Sequence, residues 1–354
     1  MVKRETERDK FLKALRKKYS VEKIFEFLKD LKNSKVLLIG ETILDEYCFV
    51  QVMGKSPKGI HIATKFINQE RYAGGVLACA NHLAGFCNKV DLVTALGERG
   101  SWESFIRHNL KPNINPKFFY LSKAPTIIKR RFVDSNYFNK LFEVYVFDDS
   151  LTIGLEDHIV KYLLANFNSY DLILVVDYGH GLLTPKLIDI ICGLPCFLAV
   201  NAQSNTASIG YNPITKYPKA NFFCLGEPEI HLAFQDKHAD IHELTKLLAR
   251  QVSLPGAVAV TRGPMGSIIY DAGKEQFHHT PALSEKVVDT IGAGDAFLSL
   301  TSVCMAKGFP VDLTGFIGNA AGSLAIEVLG NKTPIKSAFL FKFIGALFDG
   351  KGGK

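Results

Sequence analysis

Short apolar runs and stretches of helical periodicity alternate along most of this chain. Lys35–Gly40, Val90–Ala95, Leu172–Val176, Phe197–Val200 and Ala257–Thr261 are compact apolar runs, with the length and composition of strands buried on both faces. Between them, Val76–Gly85, Trp102–Leu110, Gly154–Phe167, Lys186–Cys192, Pro228–Phe234 and His242–Val252 carry apolar residues at spacings that suit helices. Strands alternating with helices predict an α/β fold: a mostly parallel sheet covered on both faces, with ligands gathering beyond the carboxyl ends of the strands.

Two stretches break the rhythm. Tyr47–Phe66 and Pro125–Val146 are rich in Val, Ile, Phe, Tyr and Thr and lack helical periodicity, so they read as additional β segments outside the main sheet. Residues 1–34 read instead as two helical pieces, one with Phe11, Leu12 and Leu15, the other with Ile24, Phe25, Leu28 and Leu31. Ser20 suits the cap position of the second, although Lys23 stands where a capping box prefers Glu. Both pieces precede the first core strand, so 1–34 is expected to be a helical extension or connector and 35–354 the main domain. No internal repeat or low-complexity linker is visible.

Composition narrows the class. With 354 residues the chain can bury one large α/β core or two smaller ones, and 47% hydrophobic with 22% charged residues argues against disorder. No apolar run is long enough to span a bilayer, and Met1–Lys18 is charged where a secretion signal would be apolar. The seven cysteines are scattered, and Cys192 and Cys196, the closest pair, lack a partner set for zinc; reduced thiols in a cytoplasm are expected. Much of the net charge of +7 sits in Lys3, Arg4, Arg8, Lys10, Lys13, Arg16, Lys17 and Lys18. Such a run suits nucleic acid or a membrane surface. Aromatic residues do not interleave with it, however, and a solvated helix face is the expected reading, with neither nucleic acid nor membrane as a partner.

The chemistry concentrates in Val288-Asp289-Thr290-Ile291-Gly292-Ala293-Gly294-Asp295-Ala296-Phe297, followed by an apolar, helix-compatible stretch to Ala306. Glycines let backbone N–H groups turn toward one point, and a helix start adds positive dipole there. A phosphoryl group in transfer is an anion that fits such a point. Asp295 would lie on the first turn, placed to take the proton of an attacking hydroxyl.

These residues resemble the D-T-x-G-A-G-D-x-F signature of the ribokinase-like (PfkB) carbohydrate kinases, and the resemblance runs from about Lys35 to Pro334. It implies a three-layer α/β/α fold with a mostly parallel central sheet and a small β lid, built from about 47–66 and 125–146, over the sugar site. Lids of two subunits would pair as a homodimer. It also implies Asp295 as the base, with the N–H groups around Gly292, Ala293 and Gly294 as the anion hole.

Further motifs follow in family order. Gly40–Asp45 closes the first strand and resembles a G-[DE]-x-x-x-D opening, which implies that Asp45 binds sugar hydroxyls; a turn aspartate would look the same. Ala73–Ala78 resembles G-G-x-x-x-N, with Gly74 and Gly75 bringing backbone to the sugar, but Ala78 replaces the asparagine, and Asn81 and His82 lie a turn further on. Pro125–Arg131 resembles the P-T-x-x-K-x-R strand of bacterial heptose 7-phosphate kinases, as do Ser56-Pro57 and Asp177–Gly181. Lys129 and Arg131 share one side of a strand and suit a substrate phosphate, although a basic strand edge explains them too.

Other segments depart from the pattern. Asn201-Ala202-Gln203-Ser204 stands where those kinases carry D-P-K, and Cys224-Leu225-Gly226-Glu227 replaces N-x-x-E. The resemblance implies that Glu227 helps organise Mg²⁺ through water; cysteine is a poor ligand for so hard an ion. Val260–Gly266 resembles V-T-x-G-x-x-G, which implies Thr261, Arg262, Gly263 and Gly266 at the nucleotide, and Gly318–Gly322, with Asn319, resembles the small-residue helix beside the adenine. A hairpin turn and close helix packing account for the same glycines.

Together these features imply a kinase using ATP and Mg²⁺ on a sugar or sugar phosphate. The nearest subgroup phosphorylates heptose 7-phosphate in surface-polysaccharide precursor synthesis and is often fused to a nucleotidyltransferase. A ribokinase- or fructokinase-like kinase of a free sugar is one alternative. A catalytically weakened sugar-nucleotide-binding scaffold is another, kept open by Ala78, Gln203 and Cys224.

Overall fold

A computed structural model describes residues 6–148, 154–252, 256–284 and 286–349. Its strands, in chain order, are β1 Lys35–Gly40, β2 Thr42–Lys55, β3 Ile62–Gly75, β4 Lys89–Arg99, β5 Ile114–Pro125, β6 Ile127–Asp134, β7 Lys140–Val146, β8 Leu172–Asp177, β9 Phe197–Ala202, β10 Phe222–Gly226, β11 Ala257–Thr261, β12 Ser267–Asp271 and β13 Gln276–Thr280. Nine of them form one sheet in the order β13-β12-β11-β10-β9-β8-β1-β4-β5. It is parallel from β11 to β5, with β12 and β13 antiparallel at one edge.

β1 lies between β4 and β8, and the sheet grows outward from it in both directions. That is the topological switch beyond which open α/β sheets bind ligands. The layering follows from the pleat: Val36 and Leu38 of β1 enter one buried cluster, Leu37 and Ile39 the other. Helices Val76–Leu83, Ala293–Ala306, Val311–Ala325 and Ser337–Phe348 complete the first cluster. Glu156–Asn166, Pro185–Gly193, Glu227–Phe234 and Ile241–Gln251 complete the second.

The N-terminal helices are Glu7–Lys18, opened by a Thr6/Asp9 capping box, and Val21–Asp30, capped by Ser20. Leu12, Leu15, Ile24 and Leu28 are buried in the first cluster, and the Phe25 ring meets Phe341 edge-on at 4.8 Å. Lys18 pairs with Asp312, whereas Lys3 and Arg4 of the basic run lie outside the described residues.

The second sheet, ordered β3-β2-β6-β7, is the lid. It reaches deeper than the expected segments 47–66 and 125–146. β2 starts at Thr42, one residue after β1 ends, β3 continues to Gly75, and Pro125 is the last residue of β5 in the main sheet. Asp45, expected in the turn closing β1, therefore lies on the lid strand β2. The near half of β2, Thr42–Val50, is buried, and Gln51–Lys55 is exposed.

One aspartate fastens the lid to the glycine-rich loop. Asp289 accepts from the Tyr47 hydroxyl at 3.0 Å, from Lys140 at 3.0 Å, and from the N–H groups of Gly330 and Ile291 at 3.1 and 3.2 Å. Burial works against its charge, yet Lys140 and these donors outweigh burial and hold its carboxyl below the usual range. Its stabilising effect is therefore present above the ordinary aspartate pKa and is lost as pH falls through the lowered value. Asp289→Ala strands two buried donors and is expected to lower the unfolding free energy by about 2–4 kcal/mol. Urea denaturation at neutral pH measures this; a change under about 0.5 kcal/mol, the ordinary scatter of surface substitutions, would contradict the role.

Candidate active site

A cavity of about 330 Å³ opens beyond the carboxyl ends of the central strands, between the main sheet and the lid. Asp45 comes from β2, Gly75 from the end of β3, and Lys129 and Arg131 from β6. Tyr178 follows β8, Asn201 and Gln203 lie at the end of β9, Cys224–Gly226 close β10, and Thr261 ends β11. Thr290, Ile291, Gly292, Gly294 and Asp295 enter from the opposite side, with Asn331 behind them.

Gly292, at φ 87°, caps the helix Ala293–Ala306, and Asp295 is the third residue of its first turn. The N–H groups of Ala293, Gly294 and Asp295 have no acceptor within their helix, by helix geometry, and they add to the positive end of its dipole. Asp295 is buried, and its Oδ1 accepts from the Tyr178 hydroxyl at 2.9 Å and from Gln203 Nε2 at 3.4 Å. Burial pushes its carboxyl up to about 6, against the pull of the Tyr178 hydrogen bond; nearby Asp45 pushes the same way as burial.

Tyr178 is itself held from below. Glu41 Oε2 accepts from the Tyr178 N–H at 2.9 Å, and Oε1 from the His180 N–H at 3.2 Å. Burial, and then neighbouring Asp177, push the Glu41 carboxyl upward. Asp177 is satisfied by Lys216 and the Tyr217 hydroxyl, each at 2.6 Å, and by the Gly179 N–H at 2.9 Å. The D-Y-x-x-G segment is thus a rigid turn that aims one phenol at Asp295.

Across the cavity, Asp45 Oδ1 accepts from Arg131 at 2.6 Å and Oδ2 from Asn331 Nδ2 at 3.1 Å. A Cβ at position 74 would stand 2.1 Å from Asp45 Oδ2, so this approach requires Gly74. Arg131 also pairs with Glu143 at 2.9 Å, so two carboxylates already compensate its charge. Lys129 forms no ion pair among the described residues; its ammonium sits 5.4 Å from the Tyr145 ring centroid and 5.7 Å from that of Tyr178. Burial lowers its pKa.

The nucleotide-side residues named from the sequence separate. Thr261 lines the cavity. Arg262 is turned into an ion pair with Glu227 at 3.2 Å, and its backbone N–H closes a tight turn onto the Gly266 carbonyl at 2.8 Å. Asn319 Nδ2 donates to Ser267 Oγ at the start of β12 at 2.5 Å and to the Gly315 carbonyl of its own helix at 2.9 Å, so it ties that helix to the sheet edge. Gly318 faces Phe297 and Thr301, as close helix packing demands. Neither Glu227 nor Arg262 lines the cavity, whereas Glu229, two residues on, does. Burial raises the Glu229 carboxyl, against hydrogen bonds from backbone N–H groups, its own among them. Glu229 and Asn331 had no distinguishing sequence signal beyond their nearness to motifs, and Tyr178 lay within the Asp177–Gly181 motif (D-Y-x-x-G) without its hydroxyl being given a role. Ala78 is buried away from the cavity lining; Asn81 ties Asn109 to Lys111, and His82 accepts from the Ile335 N–H.

Among the described residues, no group of three or more His, Cys, Asp or Glu side chains converges to hold a metal ion. Cys224 is buried and its thiol is pushed far up by burial, so it offers no oxygen and no thiolate. A Mg²⁺ ion fits this donor set only when phosphate and water supply most of its ligands.

The fold is that of the ribokinase-like α/β proteins. Ribokinase from Thermotoga maritima superposes with a TM-score of 0.67 at 17% identity, covering 88% of this chain and 99% of that one. Phosphofructokinase-2 from Escherichia coli superposes with a TM-score of 0.68 at 14% identity, covering 89% and 99%. A model of the pfkB family of carbohydrate kinases matches residues 206–338. The bifunctional protein HldE of Haemophilus influenzae (strain PittGG) is 26% identical over 320 residues, and that of Trichlorobacter lovleyi 23% identical over 331. The chain spans 63% of the length of each of these two relatives. No helix among the described residues is long and apolar enough to cross a membrane.

Because its folded pKa lies above the ordinary 3.8, ionising Asp295 costs the fold stability as pH rises through the window up to about 6. Tyr178→Phe removes the bond that favours the charged form, so Asp295 should titrate higher by about one unit. Carboxyl ¹³C NMR of Asp295 in both proteins checks this, and an unmoved titration would exclude Tyr178 as the group that tunes it.

Proposed function

We propose that this chain is a carbohydrate kinase that transfers the γ-phosphoryl group of ATP to a hydroxyl of a sugar or sugar phosphate, with a heptose 7-phosphate as the acceptor class. The observation that carries the reading is Asp295, buried with a raised pKa on the first turn of a helix whose free N–H groups open into the same cavity. A base of pKa about 6 is mostly ionised at neutral pH and still accepts a proton readily. Asp295 takes the acceptor's proton as its oxygen attacks phosphorus, and the N–H groups of residues 293–295 face the charge on the transferring group. Mg²⁺ would neutralise phosphate charge when bound. Asp45 and Asn331, opposite Asp295, offer acceptors and a donor to sugar hydroxyls.

Lys129 supports an acceptor that already carries a phosphate. It forms no ion pair among the described residues, whereas Arg131 is bound by Asp45 and Glu143. Carboxylates near Lys129 but out of contact leave its ammonium donors for a bound phosphate, which accepts charge-assisted hydrogen bonds. A free-sugar kinase remains the second reading, favoured by the Asp45–Asn331 pair. Against the weakened-scaffold reading stands the intact Asp295–Tyr178 pair, whose geometry suits proton transfer. In the cell such a kinase would work where ATP is made, in the cytoplasm. A nucleotidyltransferase partner domain is part of the proposal, supported by relatives that are longer than this chain and are named bifunctional.

The test is a panel of free and phosphorylated heptoses, mannose, fructose and ribose with ATP. Asp295→Asn should retain nucleotide affinity and lose about two orders of magnitude or more in turnover, and the wild-type rate should fall below the pH at which Asp295 protonates. Lys129→Met should raise KM for the phosphorylated acceptor about ten-fold and leave that for ATP nearly unchanged. A wild type that prefers the free sugar to its phosphate ester would overturn the heptose phosphate reading.

The lid supports a homodimer. Ile60 is 96% exposed, Met53 65%, Ile62 62%, Phe66 60% and Phe142 53%, an apolar load that an unpaired sheet carries poorly. Light scattering at micromolar concentration should show a dimer that Phe66→Asp shifts toward monomer; a wild-type monomer would refute lid pairing.

A further inference from the structure

The nucleotide side of the cavity contains an acceptor with nothing to accept. Asn201 is 5% exposed, and its Nδ2 donates to the Cys224 carbonyl at 2.8 Å. That bond sets the amide orientation, because the nitrogen must face a carbonyl. Oδ1 is then buried without a hydrogen-bond partner among the described residues, although the side chain lines the cavity. Leaving such an acceptor bare carries its full desolvation penalty, which is removed when a ligand brings a donor.

A carboxylate lines the same end. Glu229 is the third residue of the helix Glu227–Phe234, and its side chain folds back over Gly226, where a Cβ would lie 2.2 Å from Oε2. Its Oε1 accepts from the Ser204 N–H at 3.4 Å, and no cation pairs with it among the described residues. Meanwhile the two positions that resemble N-x-x-E are withdrawn from this chemistry. Cys224 supplies no side-chain oxygen, and both Glu227 oxygens lie against Arg262, at 3.2 and 3.3 Å.

We infer that Asn201 and Glu229 are the groups that accept hydrogen bonds from the water molecules of the nucleotide's Mg²⁺, in place of positions 224 and 227. Mg²⁺ dehydrates reluctantly and keeps several waters, each a polarised donor. An amide oxygen and a carboxylate are the acceptors such waters need, and outer contacts of this kind orient the ion without touching it. No bond is made or broken in this role. The inference rests on the kinase reading above.

Calorimetric binding of ADP to the full chain, with Mg²⁺ and with EDTA, tests it without turnover. In the wild type Mg²⁺ should tighten ADP binding. Asn201→Ala and Glu229→Ala should each leave metal-free binding roughly unchanged and reduce the Mg²⁺-dependent gain by about ten-fold, the scale of outer-contact loss. Glu227→Gln should keep the gain. Asn201→Asp, which retains an acceptor and adds charge, should restore or increase it, separating lost acceptance from lost folding. If Asn201→Ala and Glu229→Ala keep the full gain, or Glu227→Gln abolishes it, the inference fails while the kinase reading stands. A wild type that binds no ADP under either condition overturns both.

Discussion

The site depends on one ionisable carboxylate kept out of water at the start of a helix. A buried charge is tolerated only with partners, and Asp295 is given few: one phenol at 2.9 Å and one amide at 3.4 Å. Full compensation would drop its pKa and make it a poor base; no compensation would leave it protonated. The Tyr178 hydroxyl holds it between these limits. That phenol is aimed by its own backbone, which Glu41 grips from the end of β1. A chain of hydrogen bonds from the central strand therefore sets the proton affinity of a group on the opposite side of the cavity.

The lid contributes through charge as well as cover. Asp45 rides on β2, close enough to β3 that position 74 has room only for glycine. Arg131 on β6 neutralises it, and Glu143 on β7 takes the remaining side of the guanidinium. Two carboxylates and one guanidinium leave these lid strands one negative charge in excess, and Lys129 on β6 offsets it from a distance without an ion pair among the described residues. Two basic residues alike in sequence, both buried on β6, thus differ in their bonding: Arg131 is held by Asp45 and Glu143, and Lys129 lines the cavity beside the Tyr145 and Tyr178 rings. Asp289 joins this assembly to the glycine-rich loop, so the position of the lid and the position of Asp295 are mechanically linked.

Much of the architecture was legible because it rests on local pattern. The apolar runs at 35–40, 90–95, 172–176, 197–200 and 257–261 lie within strands of the main sheet. The helical periods between them became the covering layers. β10 and the helix Ser337–Phe348 were not singled out as elements; β10 overlaps the segment read for its motif at Cys224–Glu227, and a helix apolar on nearly every side has little periodic contrast. β5 was likewise hidden beside the lid segment that follows it, so the lid boundary at Pro125 was placed in the wrong sheet.

The sequence by itself determined the class of fold and the loop that carries Asp295, because glycines beside an acid at a helix start constrain backbone and charge together. Only the tertiary structure decided which side chains share the cavity. Glu227 and Arg262 neutralise each other outside it and Glu229 takes the place at its wall; Arg131 is claimed by Asp45 and Lys129 is not; Asn319 and Gly318 serve helix packing. These outcomes depend on residues far apart in the chain, and on which pairs of charges satisfy each other first. Spacing along a strand shows that two groups share a face. Whether a group there keeps its charge for a ligand or spends it on a neighbour is settled by the strands and loops that fold against it.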